Sequence, residues 1–175
     1  MARPLLCKAA GQSIMMIPLT NQADSLYDQE IKRVLLVEVN CQFAVRFETV
    51  LTEGRFEVLT ATSAAQAEGR LTENRFDLVL LDLGLPADDL ASLSEEISAS
   101  NPFVAVIGTA AQPTLTPSAR EFGVDLVVEK TVEPEGFLFS ARRLCQESEA
   151  AQLNRIISNL RAVRAGVEEG GVVYR

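Results

Sequence analysis

The chain contains no histidine. That absence excludes Ser-His-Asp and Cys-His catalysis, histidine-ligated metals and a phosphorylated histidine of its own. Its cysteines, Cys7, Cys41 and Cys145, are scattered, odd in number and without metal-ligand spacing, which points to a reducing compartment. No apolar run reaches the length of a membrane span. Ser13–Leu19 is apolar but short and interrupted by Pro18, and although Arg3 and Lys8 precede it, no small-x-small cleavage site follows. The expected location is therefore cytoplasmic, with no membrane partner. No basic cluster with interleaved aromatics occurs, and the formal charge is -8, so direct nucleic-acid binding is not expected.

What is present is a chain of 175 residues with a 47% hydrophobic fraction, enough for one cored domain and an extension. Residues 1–30 show no sustained periodicity and read as an arm or tail. From Ile31 short aliphatic runs alternate with amphipathic stretches. The runs are Val34–Val37, Phe56–Thr60, Leu78–Leu81, Val104–Ile107 and Leu126–Val128. Continuous rather than alternating apolar runs suit strands buried on both faces of a parallel sheet.

Between the runs lie helical patterns. Phe43, Phe47, Val50 and Leu51 line one face of the first, and Ser63 with Gln66 forms a capping-box signature for the second. Leu90, Leu93 and Ile97 line the third. Thr116–Pro117 starts the fourth, and Pro134 starts the fifth, which carries Phe137, Leu138, Ala141 and Leu144. Five strand–helix units predict a doubly wound, flavodoxin-like α/β domain over residues 31–147, with a parallel five-stranded sheet. Residues 148–175 read as a helical extension and tail. There the last helix is expected to run on to about Gly166, with Leu153, Ile156, Leu160, Val163 and Val167 as a heptad stripe of about two repeats. Packing on its own domain and pairing in a homodimer are equally compatible with that stripe. The Gly170-Gly171 pair marks a frayed end.

In open α/β sheets ligands bind beyond the carboxyl ends of the strands, where the strand order reverses. Glu38 ends the first run, Asp82 the third, Thr109 lies near the end of the fourth, and Lys130 ends the fifth. Each alone is an ordinary solvated strand end. Together they bring two acids, a hydroxyl and an ammonium to one edge.

These residues sit in motifs that resemble the receiver domains of two-component signalling. Val34–Asn40 (VLLVEVN) resembles their first strand, and Asp77–Pro86 (DLVLLDLGLP) is similar to their phosphoacceptor strand. Val104–Ala110 (VAVIGTA) resembles the strand ending in the switch hydroxyl, and Gly123–Thr131 (GVDLVVEKT) the segment ending in the family's lysine. The resemblance spans about Lys32–Cys145. It implies that Asp82 accepts a phosphoryl group from a partner histidine kinase or phosphotransfer protein. It further implies that Thr109 bonds a phosphoryl oxygen and that Lys130 pairs with the acceptor and then with the phosphoryl group. Mg²⁺ would be held by Glu38, Asp82 and the backbone carbonyl of Gly84. A downstream protein would be the target, so the expected role is signalling rather than enzymatic.

The sequence also departs from that family. Val39 stands where its second acid would be, which removes about 8 kcal/mol of gross attraction for a divalent ion, much of it offset by desolvation. Val127 takes the place of the usual aromatic switch residue, Thr131 that of the proline after the lysine, and Ala87-Asp88-Asp89 lacks the usual glycine turn, with either aspartate placed to cap the third helix. Two readings stand: a phosphorylated receiver with a weakened Mg²⁺ site, and a pseudo-receiver that binds partners or dimerises without phosphorylation. In that second reading Asp82 and Lys130 persist as a buried ion pair. A flavodoxin-like enzyme is disfavoured because Val39–Gln42 cannot form a phosphate-cradling loop, and a hydrolase because no nucleophile–base pair is visible.

Overall fold

The computed structural model describes residues 30–112, 117–147 and 149–165. The expectations for the N-terminal arm, for Thr116 and for Val167 to Gly171 lie outside these residues. From Ile31 onward the elements alternate: β1 (Arg33–Val37), α1 (Cys41–Glu53), β2 (Glu57–Ala61), α2 (Ala64–Glu73), β3 (Leu78–Asp82), α3 (Ala87–Ser100), β4 (Ala105–Ala110), α4 (Pro117–Glu121), β5 (Leu126–Glu129), α5 (Pro134–Cys145) and α6 (Glu149–Ala165).

The strands form one parallel sheet in the order β2-β1-β3-β4-β5. The expected doubly wound architecture follows from the strand sequences. Side chains alternate faces along a strand, and in β1 and β3 both alternating sets are apolar. Val34, Leu36, Leu78 and Leu80 pack with Phe47, Leu51, Phe137 and Ala141 of α1 and α5. Leu35, Val37, Val79 and Leu81 pack with residues of α2, α3 and α4, including Leu71, Leu93, Ile97 and Ala119. Each face of the sheet thus has its own core. The connection from β1 goes to β2 on one side and the chain then returns to β3 on the other, so the order reverses between β1 and β3.

Carboxylates at the strands' entry ends pin the register. The Arg33 N–H donates to Asp77 Oδ2 at 2.8 Å, and Lys32 Nζ lies 3.1 Å from Oδ1. The Val106 N–H donates to Asp125 Oδ2 at 2.9 Å. A charged acceptor for a strand-end N–H replaces the partner that the sheet cannot supply there.

Local capping departs from expectation in two places. The Ser63 hydroxyl accepts from the Gln66 N–H at 3.3 Å, but the Gln66 side chain reaches back to Thr62 rather than to Ser63, accepting from the Thr62 N–H at 3.0 Å. Neither Asp88 nor Asp89 caps α3. Pro86 occupies the N-cap without a side-chain bond, and both aspartates lie in the first turn, where negative charge suits the helix dipole.

The C-terminal extension is helical but is not a continuation of the fifth helix. Gln146 closes α5, and α6 begins at Glu149. Arg155 ties α6 to the domain: its guanidinium pairs with Asp125, and its Nε lies 2.8 Å from Glu147 Oε2. Ile156 and Leu160 line a cavity of about 310 Å³ shared with α3 and α4, whereas Leu153 is exposed, as is the outer part of Leu160. The stripe is therefore divided between the domain and solvent.

Phe47 and Phe137 join α1 to α5, with ring centroids 5.2 Å apart. Phe47→Ala is expected to lower unfolding free energy by about 3–5 kcal/mol, read by urea denaturation. Phe139→Ala, at a residue 62% exposed, is expected to change it by less than about 0.5 kcal/mol.

Candidate functional site

The reversal of strand order leaves a crevice beyond β1 and β3, and the two acids flank it. Glu38 follows β1 directly and is fully buried; Asp82 closes β3 and is 6% exposed. Thr109, also buried, lies opposite Asp82 in the β3–β4 register. Lys130 follows β5, its N–H bonded to the Ala110 carbonyl at 2.9 Å. All the residues expected at the strand ends are thus brought to one edge.

Lys130 bridges the two acids. Its Nζ lies 2.9 Å from Asp82 Oδ1, 2.9 Å from Glu38 Oε1 and 2.8 Å from Glu38 Oε2. It donates in hydrogen-bond geometry to Oε1, while the buried Oε2 accepts no hydrogen bond. Burial pushes the Glu38 carboxyl above its ordinary range; Lys130 and the Asn40 N–H pull it back, Asp82 pushes it up, and the balance is a raised value. Burial alone would lower Lys130, but its bonds to Glu38 and Asp82 outweigh that and hold it above the ordinary lysine value.

Backbone donors orient the carboxylates. The Asn40 N–H donates to Glu38 Oε1 at 3.0 Å, while the Asn40 side chain caps α1 through the Gln42 N–H at 2.9 Å. The Gly84 N–H donates to Asp82 Oδ1 at 2.8 Å. A β-carbon at Gly84 would stand 3.0 Å from that oxygen, so glycine permits the close approach.

Val39 is 55% exposed beside the crevice and offers no lone pair. Among the described residues no group of three or more His, Cys, Asp or Glu could hold a metal. Glu38 and Asp82 remain, and Glu38 Oε2 is a buried oxygen that accepts no hydrogen bond. Carboxylate oxygens of this kind suit a divalent ion.

The other departures have local consequences. Val127 is buried in the core on the α2–α4 side, opposite Gly108 in the β4–β5 register. Thr131 follows Lys130, and no cis peptide bond occurs among the described residues. Two α1 residues join the site without having been expected there. Phe43 places its ring centroid 5.1 Å from Lys130 Nζ. Arg46 donates through Nη1 to the Lys130 carbonyl and through Nη2 to the Val132 carbonyl. Neither described cysteine belongs to the site: Cys41 is exposed, and burial pushes the Cys145 thiol up to about 12.

Residues 34–141 match the family described as the response regulator receiver domain. The alginate biosynthesis transcriptional regulatory protein AlgB of Pseudomonas aeruginosa is 27% identical over 139 residues, which cover 78% of this chain and 31% of that protein. The chain thus spans less than a third of that curated relative's length. Among solved structures, the non-phosphorylated HemR receiver domain of Leptospira biflexa superposes with a TM-score of 0.58 at 27% identity, covering 67% of this chain and 97% of that one. The receiver domain of the sensor histidine kinase PA1611 of Pseudomonas aeruginosa superposes with a TM-score of 0.60 at 22% identity, over 67% of this chain and 100% of that one. The latter structure has a magnesium ion coordinated in its active-site cleft.

Lys130→Met is expected to cost about 3–5 kcal/mol at neutral pH, because it strands two buried carboxylates. Without the ammonium the folded-state pKa of Glu38 rises further above its unfolded value. The sign follows from that: the variant's stability is fullest below the unfolded value and is lost as pH rises through the folded one. Urea unfolding at pH 7 and pH 5 should show a smaller gap from the parent at the lower pH.

Proposed function

Because the chain belongs to the response regulator receiver domain family, we propose that it accepts a phosphoryl group on Asp82 from a partner histidine kinase or phosphotransfer protein. It then signals by contact with a downstream protein. The observation that carries this reading is the 2.9 Å approach of Lys130 Nζ to the Asp82 carboxylate, with Thr109 opposite on β4.

In the transfer, an Asp82 carboxylate oxygen attacks the phosphorus of a phosphohistidine. The P–N bond breaks, its electron pair returns to the imidazole, which takes up a proton, and an aspartyl phosphate remains. Positioning and charge neutralisation supply most of the acceleration in such transfers. Lys130 follows the charge from the carboxylate to the phosphoryl oxygens, and the Thr109 hydroxyl donates to one of them. Glu38, Asp82 and the Gly84 carbonyl would hold Mg²⁺, weakly because Val39 contributes nothing. When bound, the ion adds positive charge next to the phosphoryl oxygens.

A second reading has its own observation. Glu38 and Asp82 already share one ammonium, which meets part of their charge without metal or phosphate. On this reading the chain is a pseudo-receiver that acts through its surface. Its outward face on α6, with Leu153 and Ile157 exposed, would pair with a second copy. Both readings place it in the cytoplasm as a signalling module rather than an enzyme, with no direct nucleic-acid or membrane contact. No helix among the described residues is long and apolar enough to cross a membrane.

Intact-mass analysis after incubation with acetyl phosphate and Mg²⁺ separates the two. A phosphoryl adduct is expected on the parent chain and not on Asp82→Asn; a folded parent without adduct would support the pseudo-receiver. Val39→Asp restores the missing acid and should tighten Mg²⁺ binding by about 10- to 100-fold in calorimetric titration.

A further inference from the structure

We infer that Phe43 and Arg46, on one face of α1, are the positioning residues for Lys130, holding its ammonium between Glu38 and Asp82. The inference rests on the receiver reading for its effect on phosphoryl transfer, but not for its effect on Lys130 itself.

An ammonium has three donors and no preferred plane. Two of its directions go to the carboxylates of Glu38 and Asp82. The Phe43 ring, 5.1 Å away, faces the charge from a third direction. At that distance the ring quadrupole attracts the ammonium and at the same time keeps water from it.

Arg46 lies three residues further along α1, so it shares that helix face. Its guanidinium donates to the carbonyls of Lys130 and Val132, the residues on either side of Thr131. The planar fork presents two donors at a fixed spacing to the two carbonyls, which a flexible, point-charge ammonium does not pre-set. Thr131 brings no ring to fix the backbone after the lysine, and Arg46 supplies the constraint from outside the loop. Side chain and main chain of Lys130 are thus held from the same helix. That helix is in turn anchored by Phe47 against Phe137 and by Asn40, whose N–H binds Glu38.

The lysines of this chain are Lys8, Lys32 and Lys130, which makes side-chain labelling readable by site. Lys32 pairs with Asp77 at the opposite end of the sheet and serves as the internal reference. The full chain and its Phe43→Leu, Phe43→Tyr, Arg46→Ala and Arg46→Lys variants are treated with an acylating reagent at fixed pH. Peptide mass spectrometry then gives the Lys130-to-Lys32 labelling ratio. Phe43→Leu and Arg46→Ala should each raise that ratio by about 3- to 10-fold, while Phe43→Tyr, which keeps the ring, should match the parent. Arg46→Lys should behave as Arg46→Ala. An unchanged ratio in Phe43→Leu and Arg46→Ala would overturn the inference, as would a Phe43→Tyr variant that labels like Phe43→Leu. Adduct formation from acetyl phosphate is followed in parallel and should slow in Phe43→Leu and Arg46→Ala. A parent that forms no adduct overturns the transfer reading alone, because the labelling ratio still decides the role of Phe43 and Arg46.

Discussion

One ammonium between two buried carboxylates sets the terms for the rest of this structure. A parallel sheet delivers the carboxyl ends of all its strands to one edge, and in this chain two of those ends carry negative charge out of reach of bulk water. Repulsion between Glu38 and Asp82 would open the crevice if nothing stood between them. Lys130 stands there, reaching from the loop after β5 to Asp82 at the end of β3 and to Glu38 beyond β1. The surrounding features serve that contact: Gly84 lets its own N–H reach Asp82, Asn40 turns Glu38 inward while starting α1, and α1 returns to hold the lysine.

The fold was legible in the sequence because its strands are buried on both faces. Val34–Val37 and Leu78–Leu81 carry no polar residue to suggest a solvent face, and that pattern has few interpretations other than a central parallel strand. The site was legible for a related reason. Once five strand–helix units are in order, the residues that end each run must meet, and Glu38, Asp82, Thr109 and Lys130 could be placed without knowing any distance. Contacts across helices were less legible. Phe43 has the spacing of a core residue and is partly buried, so nothing in the periodicity distinguishes packing on aliphatic neighbours from facing an ammonium. Arg46 binds carbonyls, which have no sequence signature. The break between α5 and α6 does have a signature in the sequence: Leu153 lies about half a turn out of phase with Leu144 at 3.6 residues per turn. The reach of Gln66 to Thr62 instead of Ser63 is a difference of one residue that spacing alone does not resolve.

The loss of the second acid and the closure around Lys130 are two sides of one arrangement. In a site with an acid at position 39, a divalent ion would have three carboxylates to neutralise and the lysine would share that work. With valine there, the charge of the two remaining acids is met largely by Lys130. The resulting site keeps the Asp82 carboxylate, the Thr109 hydroxyl and the Lys130 ammonium at one edge of the sheet. Relatives such as AlgB are much longer than this chain, which aligns with less than a third of that protein.

β5 has a buried charge pair at each end. Lys130 lies just beyond its last residue, and Asp125 just before its first, where it binds both Arg155 of α6 and the N–H of Val106. Five residues of extended chain span about 17 Å and do not stretch appreciably. One extended strand therefore joins the Lys130 contact to the Asp125 contact with Arg155 in the middle of α6. In mechanical terms, the acidic crevice and the C-terminal helix are opposite ends of one short shaft.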